Sequence, residues 1–74
     1  MGVVSRLHEL RAQRRWTQAE LAQRVGVSRQ TINSVETGRF EPSLGLGLKL
    51  ARLFEVPVES IFALDGEAAE PPTR

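Results

Sequence analysis

Between Ser28 and Ser34 the chain reads SRQTINS, and its polar residues can do one kind of chemistry well. Gln30 and Asn33 each carry an amide able to bind the N6/N7 edge of adenine in two places, and Arg29 can fork onto the O6/N7 edge of guanine. Ser28, Thr31 and Ser34 add hydroxyls that reach either a base or a phosphate. No acid interrupts the set to repel a polyanion. A merely solvated helix face is usually built from Glu and Lys, which favour helix, whereas Thr, Asn and Ser are mediocre helix formers. Their choice here points to a surface that reads donors and acceptors.

Such a set needs a helix to display it, and the flanking residues supply one. Ser28 can cap it, Val27 can staple onto Ile32, and Ile32 with Val35 gives an inward face. At about 100° per residue, the opposite face carries Gln30, Asn33, Ser34 and Thr37, flanked by Arg29 and Thr31. Gly38 closes this helix and Arg39-Phe40-Glu41-Pro42 forms a loop.

The preceding segment begins with Thr17-Gln18-Ala19-Glu20, a capping box in which the Thr hydroxyl and the Glu carboxylate each satisfy an orphan backbone donor. Trp16 and Leu21 supply the matching hydrophobic staple. Leu21, Ala22 and Val25 form the buried stripe, and Gly26 ends the helix as a residue that tolerates positive φ. Helix, a short glycine-containing turn, then helix again makes residues 17–36 a helix-turn-helix. Gln18 lies in the first turn, where backbone N–H groups and the helix dipole favour a phosphate. Arg39, just beyond the second helix, is a further phosphate contact, and Arg14 and Arg15 are weaker ones because solubility explains them equally well.

The remaining elements support this pair. Ser5 can cap a first helix with Leu7 and Leu10 on one face, ending near Arg15, after a short extended Val3-Val4. Ser43 caps a fourth, with Leu44, Leu46, Leu48, Leu50, Ala51, Leu53 and Phe54 around most of its circumference, as expected of a central helix. Gly45 and Gly47 are out of place there, each costing up to ~1 kcal/mol relative to Ala. A short fifth helix follows Pro57, with Val58, Ile61 and Phe62 packed inward. The last residues, GEAAEPPTR, have no apolar periodicity. The expectation is one all-α domain over residues 1–65 and a flexible tail over 66–74.

Composition narrows the function classes. Seventy-four residues leave room for one small domain, and 41% apolar with 26% charged residues is ordinary for a soluble globular chain. There is no cysteine, so disulfides and thiolate metal sites are excluded. Apolar runs of only a few residues rule out a helical membrane span or a signal sequence, which makes the cytoplasm the default. His8 stands alone, without a Cys or a second His, and reads as a surface histidine, not a ligand. No nucleophile–base pair, glycine-rich phosphate loop or carboxylate cluster is apparent, so neither an enzyme nor a cofactor is expected. Net charge is only +1, but residues 1–39 hold seven arginines against three glutamates, a balance of +4, and residues 40–74 hold three bases against six acids, a balance of −3. The basic half contains the polar helix, which suits a polyanionic partner.

Arg11 and Glu36 have a different role. Each lies beside the apolar face of its helix, so the two can meet as a partly buried, bidentate pair joining the first helix to the third.

The stretch TQAELAQRVGVSRQTINSVETGRFEPSL, continued by LKLARLFEVPVESIF, resembles the Cro/C1-type, or XRE-type, helix-turn-helix regulators over about three quarters of the chain. Thr17-Gln18, Leu21-Ala22, Gly26-Val27-Ser28, Ile32, Glu36, Gly38, Pro42-Ser43-Leu44 and Ile61-Phe62 fall in register without gaps. Within that family the chain is most similar to very short stand-alone repressors such as the cytolysin repressor, through the segment VSRQTIN. The resemblance implies a five-helix, lambda-repressor-like subunit of a homodimer, with a small antiparallel sheet drawn from Val3-Val4 and Phe62-Ala63-Leu64. It carries the family's DNA contacts onto Gln18, Ser28, Arg29, Gln30, Thr31, Asn33 and Ser34, and its helix-joining ion pair onto Arg11 and Glu36. Glu55, where the family has a small residue, and Gly45 and Gly47 depart from the pattern.

Together these readings predict a regulator that binds duplex DNA through the major groove, most often a repressor in this family, acting as a homodimer on a pseudo-palindromic operator. No small-molecule ligand is implied. The alternative is a module such as an antitoxin or co-activator that uses the same fold chiefly to hold a protein.

Overall fold

The structure, a computed structural model, describes residues 2–66. The expected tail falls, apart from Gly66, outside the described residues. Two strands and four α-helices follow the order β1 (Val3–Ser5), α1 (Leu7–Gln13), α2 (Gln18–Val25), α3 (Arg29–Glu36), α4 (Leu44–Phe54), a 3-10 turn (Val58–Ser60) and β2 (Phe62–Leu64).

The core is apolar throughout. Leu7 of α1, Leu21, Ala22 and Val25 of α2, Ile32 and Val35 of α3, and Leu46, Leu50, Ala51 and Phe54 of α4 are buried together with Ile61. Trp16, Val27, Val58 and Phe62 pack against its edge. Burying this much apolar side chain is the main term holding so short a chain together.

The strands from the two ends pair antiparallel, with Val3 opposite Leu64, Val4 opposite Ala63 and Ser5 opposite Phe62. This pairing also corrects the helix count. The expected fifth α-helix is a single 3-10 turn, closed by Ser60 N–H to the Pro57 carbonyl and Ile61 N–H to the Val58 carbonyl, both at 2.9 Å. It cannot propagate, because the Ile61 carbonyl accepts the Arg6 N–H at 2.8 Å and the chain must extend into β2.

The first helix is also shorter than expected. It ends at Gln13, and Arg15 takes a left-handed φ of 59°, which turns the chain toward Trp16. At its start, Arg6 holds the cap position without a side-chain cap, while the Ser5 hydroxyl accepts the Leu7 N–H at 3.0 Å from the end of β1. In α4, the Ser43 hydroxyl accepts the Leu46 N–H at 3.1 Å, as the sequence suggests. That helix is less enclosed than its composition predicts. Leu44 and Leu48 face outward, 76% and 53% exposed, while Gly47 is buried.

Candidate nucleic-acid interface

The position of α2 follows from its first turn. Thr17 Oγ1 accepts the Glu20 N–H at 3.0 Å, and Glu20 Oε1 accepts the Thr17 N–H at 2.7 Å. With both of those groups paired, the N–H groups of Gln18 and Ala19 are left without a partner among the described residues, pointing out of the positive end of the helix. At the other end Gly26 adopts φ 78°, a conformation natural to glycine, and its N–H returns to the Ala22 carbonyl at 2.8 Å. Ser28 then caps α3 by accepting the Thr31 N–H at 3.1 Å.

With Ile32 and Val35 locked in the core, the other side of α3 must face out. Ser28, Arg29, Gln30 and Asn33 are exposed, and Thr31 and Ser34 are half-buried. Two shallow grooves flank Gln30. Gln18, Arg29, Gln30 and Asn33 line one, and Ser28, Gln30, Thr31, Ser34 and Phe40 line the other. Every expected contact residue except Arg39 therefore meets at one surface. Arg39 is exposed in the loop that follows α3, its N–H donating to the Ser34 carbonyl at 3.0 Å. Thr37 leaves the set, since its hydroxyl donates back to the Asn33 carbonyl at 2.9 Å and so closes the helix end.

A polar network supports this surface from behind. Arg11 grips Glu36 in two places, Nε to Oε2 at 2.7 Å and Nη2 to Oε1 at 3.1 Å. Its Nη1 donates to the Trp16 carbonyl at 2.8 Å, tying in the segment between α1 and α2. The Glu36 side chain is only 5% exposed. Burial alone would push its carboxyl up, yet hydrogen bonds from Arg11 and Gln18 and the nearby charges of Arg11 and His8 outweigh it and hold the group below its ordinary value. Gln18 Nε2 donates to Glu36 Oε1 at 3.0 Å and to Asn33 Oδ1 at 3.2 Å, so the ion pair is joined directly to the polar outer face of α3.

Three features escaped the sequence. Both amide hydrogens of Gln18 are turned to the protein, so the donors left free at this helix start are backbone N–H groups and not this side chain. His8 is largely exposed, as expected, but its Nδ1 lies 2.9 Å from Arg11 Nη2, a contact its i,i+3 spacing would have suggested. Phe40 lines the second groove while 48% exposed, and only its aromatic type in a polar loop hinted at this. Of the weaker cations, Arg14 is engaged elsewhere. Its guanidinium lies 5.4 Å from the ring centroids of both Trp16 and Phe54 and donates to the Phe54 carbonyl at 3.4 Å. Arg15 is exposed.

Among the described residues no cluster of three or more His, Cys, Asp or Glu is placed to hold a metal ion. No helix there is long and apolar enough to cross a membrane.

Comparison with known proteins agrees with this geometry. A family model described as helix-turn-helix matches residues 7–61. An uncharacterized HTH-type transcriptional regulator of Archaeoglobus fulgidus is 49% identical over 63 residues, 85% of this chain and 89% of the relative. Another, from Bacillus subtilis, is 40% identical over the same length, covering 85% and 96%. Among solved structures, the restriction-modification controller protein of Aeromonas hydrophila superposes with a TM-score of 0.67 at 35% identity, covering 73% of this chain and 82% of its own. The SOS-response repressor LexA of Eubacterium rectale does so with a TM-score of 0.73 at 28% identity, over 92% and 70%. The chain thus belongs to the XRE-type helix-turn-helix family of DNA-binding transcriptional regulators.

Proposed function

We propose that the chain is a cytoplasmic, sequence-specific repressor that binds a pseudo-palindromic operator as a homodimer, with α3 in the major groove. The observation that carries this reading is the outer face of α3. Its exposed residues Ser28, Arg29, Gln30 and Asn33, with Thr31 and Ser34 beside them, offer donors and acceptors and no acid. In the bound state Arg29, Gln30 and Asn33 contact bases. Ser28, Thr31 and Ser34 reach base or backbone, the α2 start at Gln18 takes one phosphate, and Arg39 takes another.

A dimer is favoured on energetic grounds, because one module buries too little surface on DNA for regulatory affinity. Two copies would place their α3 helices roughly 34 Å apart, one turn of duplex. Leu44 and Leu48 of α4 and Leu64 of β2 are exposed apolar side chains of the kind such a seam needs. The same leucines favour the second reading, a module that chiefly holds another protein.

Titration of random duplex DNA at two salt concentrations separates the two. A steep fall in affinity with salt supports DNA binding, and no binding even at low salt excludes it. Selection of bound sites from a randomised library then gives half-site sequence and spacing. Paired half-sites about 10 base pairs apart support the dimer, and single unpaired sites exclude it.

A further inference from the structure

Asn33 would ordinarily be read as an adenine contact, using its oxygen and nitrogen together on N7 and N6. Its surroundings forbid that use. Glu36 is held by Arg11 with its side chain 5% exposed, and a carboxylate can only accept hydrogen bonds. The Gln18 atom 3.0 Å from Glu36 Oε1 must therefore be the amide nitrogen. That nitrogen has a second hydrogen, and it lies 3.2 Å from the Asn33 amide. A donor there must face an acceptor, so Asn33 turns Oδ1 inward and leaves Nδ2 outward. Orientation of side-chain amides is normally set by their partners, and here a buried charge two residues along the chain of bonds fixes both.

We propose that Glu36, acting through Gln18, sets the hydrogen-bonding sense of Asn33, so that Asn33 reads a base acceptor and not the donor–acceptor pair of adenine. Glu36 and Gln18 are then positioning residues for specificity as well as structural ones. Asn33 presents two N–H groups to guanine N7 or O6, or to thymine O4, and rejects a base that can only offer an amino group, as cytosine does at N4. Gln18, which lines the same groove as Arg29 and Gln30, keeps its amide nitrogen on Glu36 and Asn33.

This inference rests on the DNA-reading proposal above, and its test separates the two. Half-sites are selected from a randomised duplex library with the natural chain, with Asn33→Ala and with Gln18→Met, and the base pair whose preference Asn33→Ala abolishes is the one Asn33 reads. For the natural chain, affinity at that pair should fall when the base acceptor is removed, for instance with 7-deazaguanine. It should be unchanged when any amino group there is removed. Gln18→Met frees the Asn33 amide while leaving the Arg11–Glu36 pair whole, and should shift preference at that pair toward adenine roughly 5- to 150-fold, the discrimination a good base contact provides.

Dependence of the natural chain on an adenine N6 or cytosine N4 amino group would overturn the inference. So would an unchanged preference in folded Gln18→Met, or the absence of any preference attributable to Asn33. The base-analogue arm uses only the natural chain, so it decides the matter even if Gln18→Met unfolds. Failure of the natural chain to enrich any sequence, with no salt-dependent binding to random duplex, would instead remove the DNA-reading proposal itself.

Discussion

Arg11 on α1 and Glu36 at the end of α3 meet in two hydrogen bonds of 2.7 and 3.1 Å, with side chains only 13% and 5% exposed. They are 25 residues apart in sequence, and they tie α1 to the end of α3. Removing one partner leaves the other charge without compensation in a site that water barely reaches. Arg11→Ala or Glu36→Ala should each cost about 3–5 kcal/mol, a large share of the about 5–15 kcal/mol available to a domain. The double replacement Arg11→Met/Glu36→Leu should recover much of that loss. Chemical denaturation of the three variants checks it, and a double variant as unstable as the sum of the singles would contradict it.

The same pair gives stability a pH dependence with a definite sign. The folded carboxyl of Glu36 is held below its ordinary value, since the bonds and charge of Arg11, with Gln18 and His8, outweigh its burial. An unfolded glutamate titrates near about 4.3. The contribution is therefore complete above that pH and is lost as pH falls through the lower folded value. Thermal midpoints measured from pH 7 down to pH 3 should hold and then drop on the acid side. In Glu36→Gln, which starts lower, that part of the drop should vanish.

How much of this was readable in advance depends on the range of the interaction concerned. The Thr17 and Glu20 box, the Ser28 and Ser43 caps and the left-handed Gly26 are set within four residues, so types and spacing reveal them. The Arg11–Glu36 pair was legible because each residue flanks an apolar stripe of known period. The truncated fifth helix was not, because it is Arg6, far off in sequence, that takes the Ile61 carbonyl. The Gln18 links to Glu36 and Asn33 were equally hidden. They depend on how closely α2 approaches α3, which no spacing rule supplies.

Backbone conformation offers a gain in stability on α4. An added Cβ would meet nothing within 4 Å at Gly47, and at Gly45 only the Ser43 hydroxyl at 3.9 Å. Both glycines are helical, so Gly45→Ala and Gly47→Ala should each stabilise by about 0.5–1 kcal/mol. The opposite exchange applies just past the helix, where Glu55 sits at φ 60° and ψ 42°. Such a conformation costs a non-glycine residue about 1–2 kcal/mol, so Glu55→Gly should raise the melting temperature as well. A fall in midpoint for either alanine variant would contradict this expectation.

Phe40 should separate affinity from stability. Its ring is half out of the protein, yet it borders the groove of Ser28, Gln30, Thr31 and Ser34. Phe40→Ala should change unfolding free energy by about 0.5 kcal/mol or less, as expected of an exposed site. Loss of the ring as an apolar contact in the major groove should weaken operator binding by about 1 kcal/mol, roughly fivefold. If uracil replaces thymine at the affected position, natural and Phe40→Ala chains should bind more nearly alike. An equal loss of affinity on uracil DNA would place the ring against the sugar-phosphate backbone instead.

Arg29 and Gln30 carry the sharpest expectation, because neither side chain is committed to a protein partner among the described residues while both lie exposed at the start of α3. On DNA each can contact a base or a phosphate, and the two alternatives differ in what they do to specificity. If they read bases, Arg29→Ala and Gln30→Ala should each cost about 1–3 kcal/mol on the selected operator and relax preference at one base pair, leaving random DNA nearly unaffected. If either contacts phosphate, its loss should weaken all sequences alike and reduce the salt dependence by about one charge for Arg29. Competition between operator and random duplex, at two salt concentrations, tells these apart. Uniform weakening by both variants would shift sequence readout to Asn33 and the hydroxyls of Thr31 and Ser34.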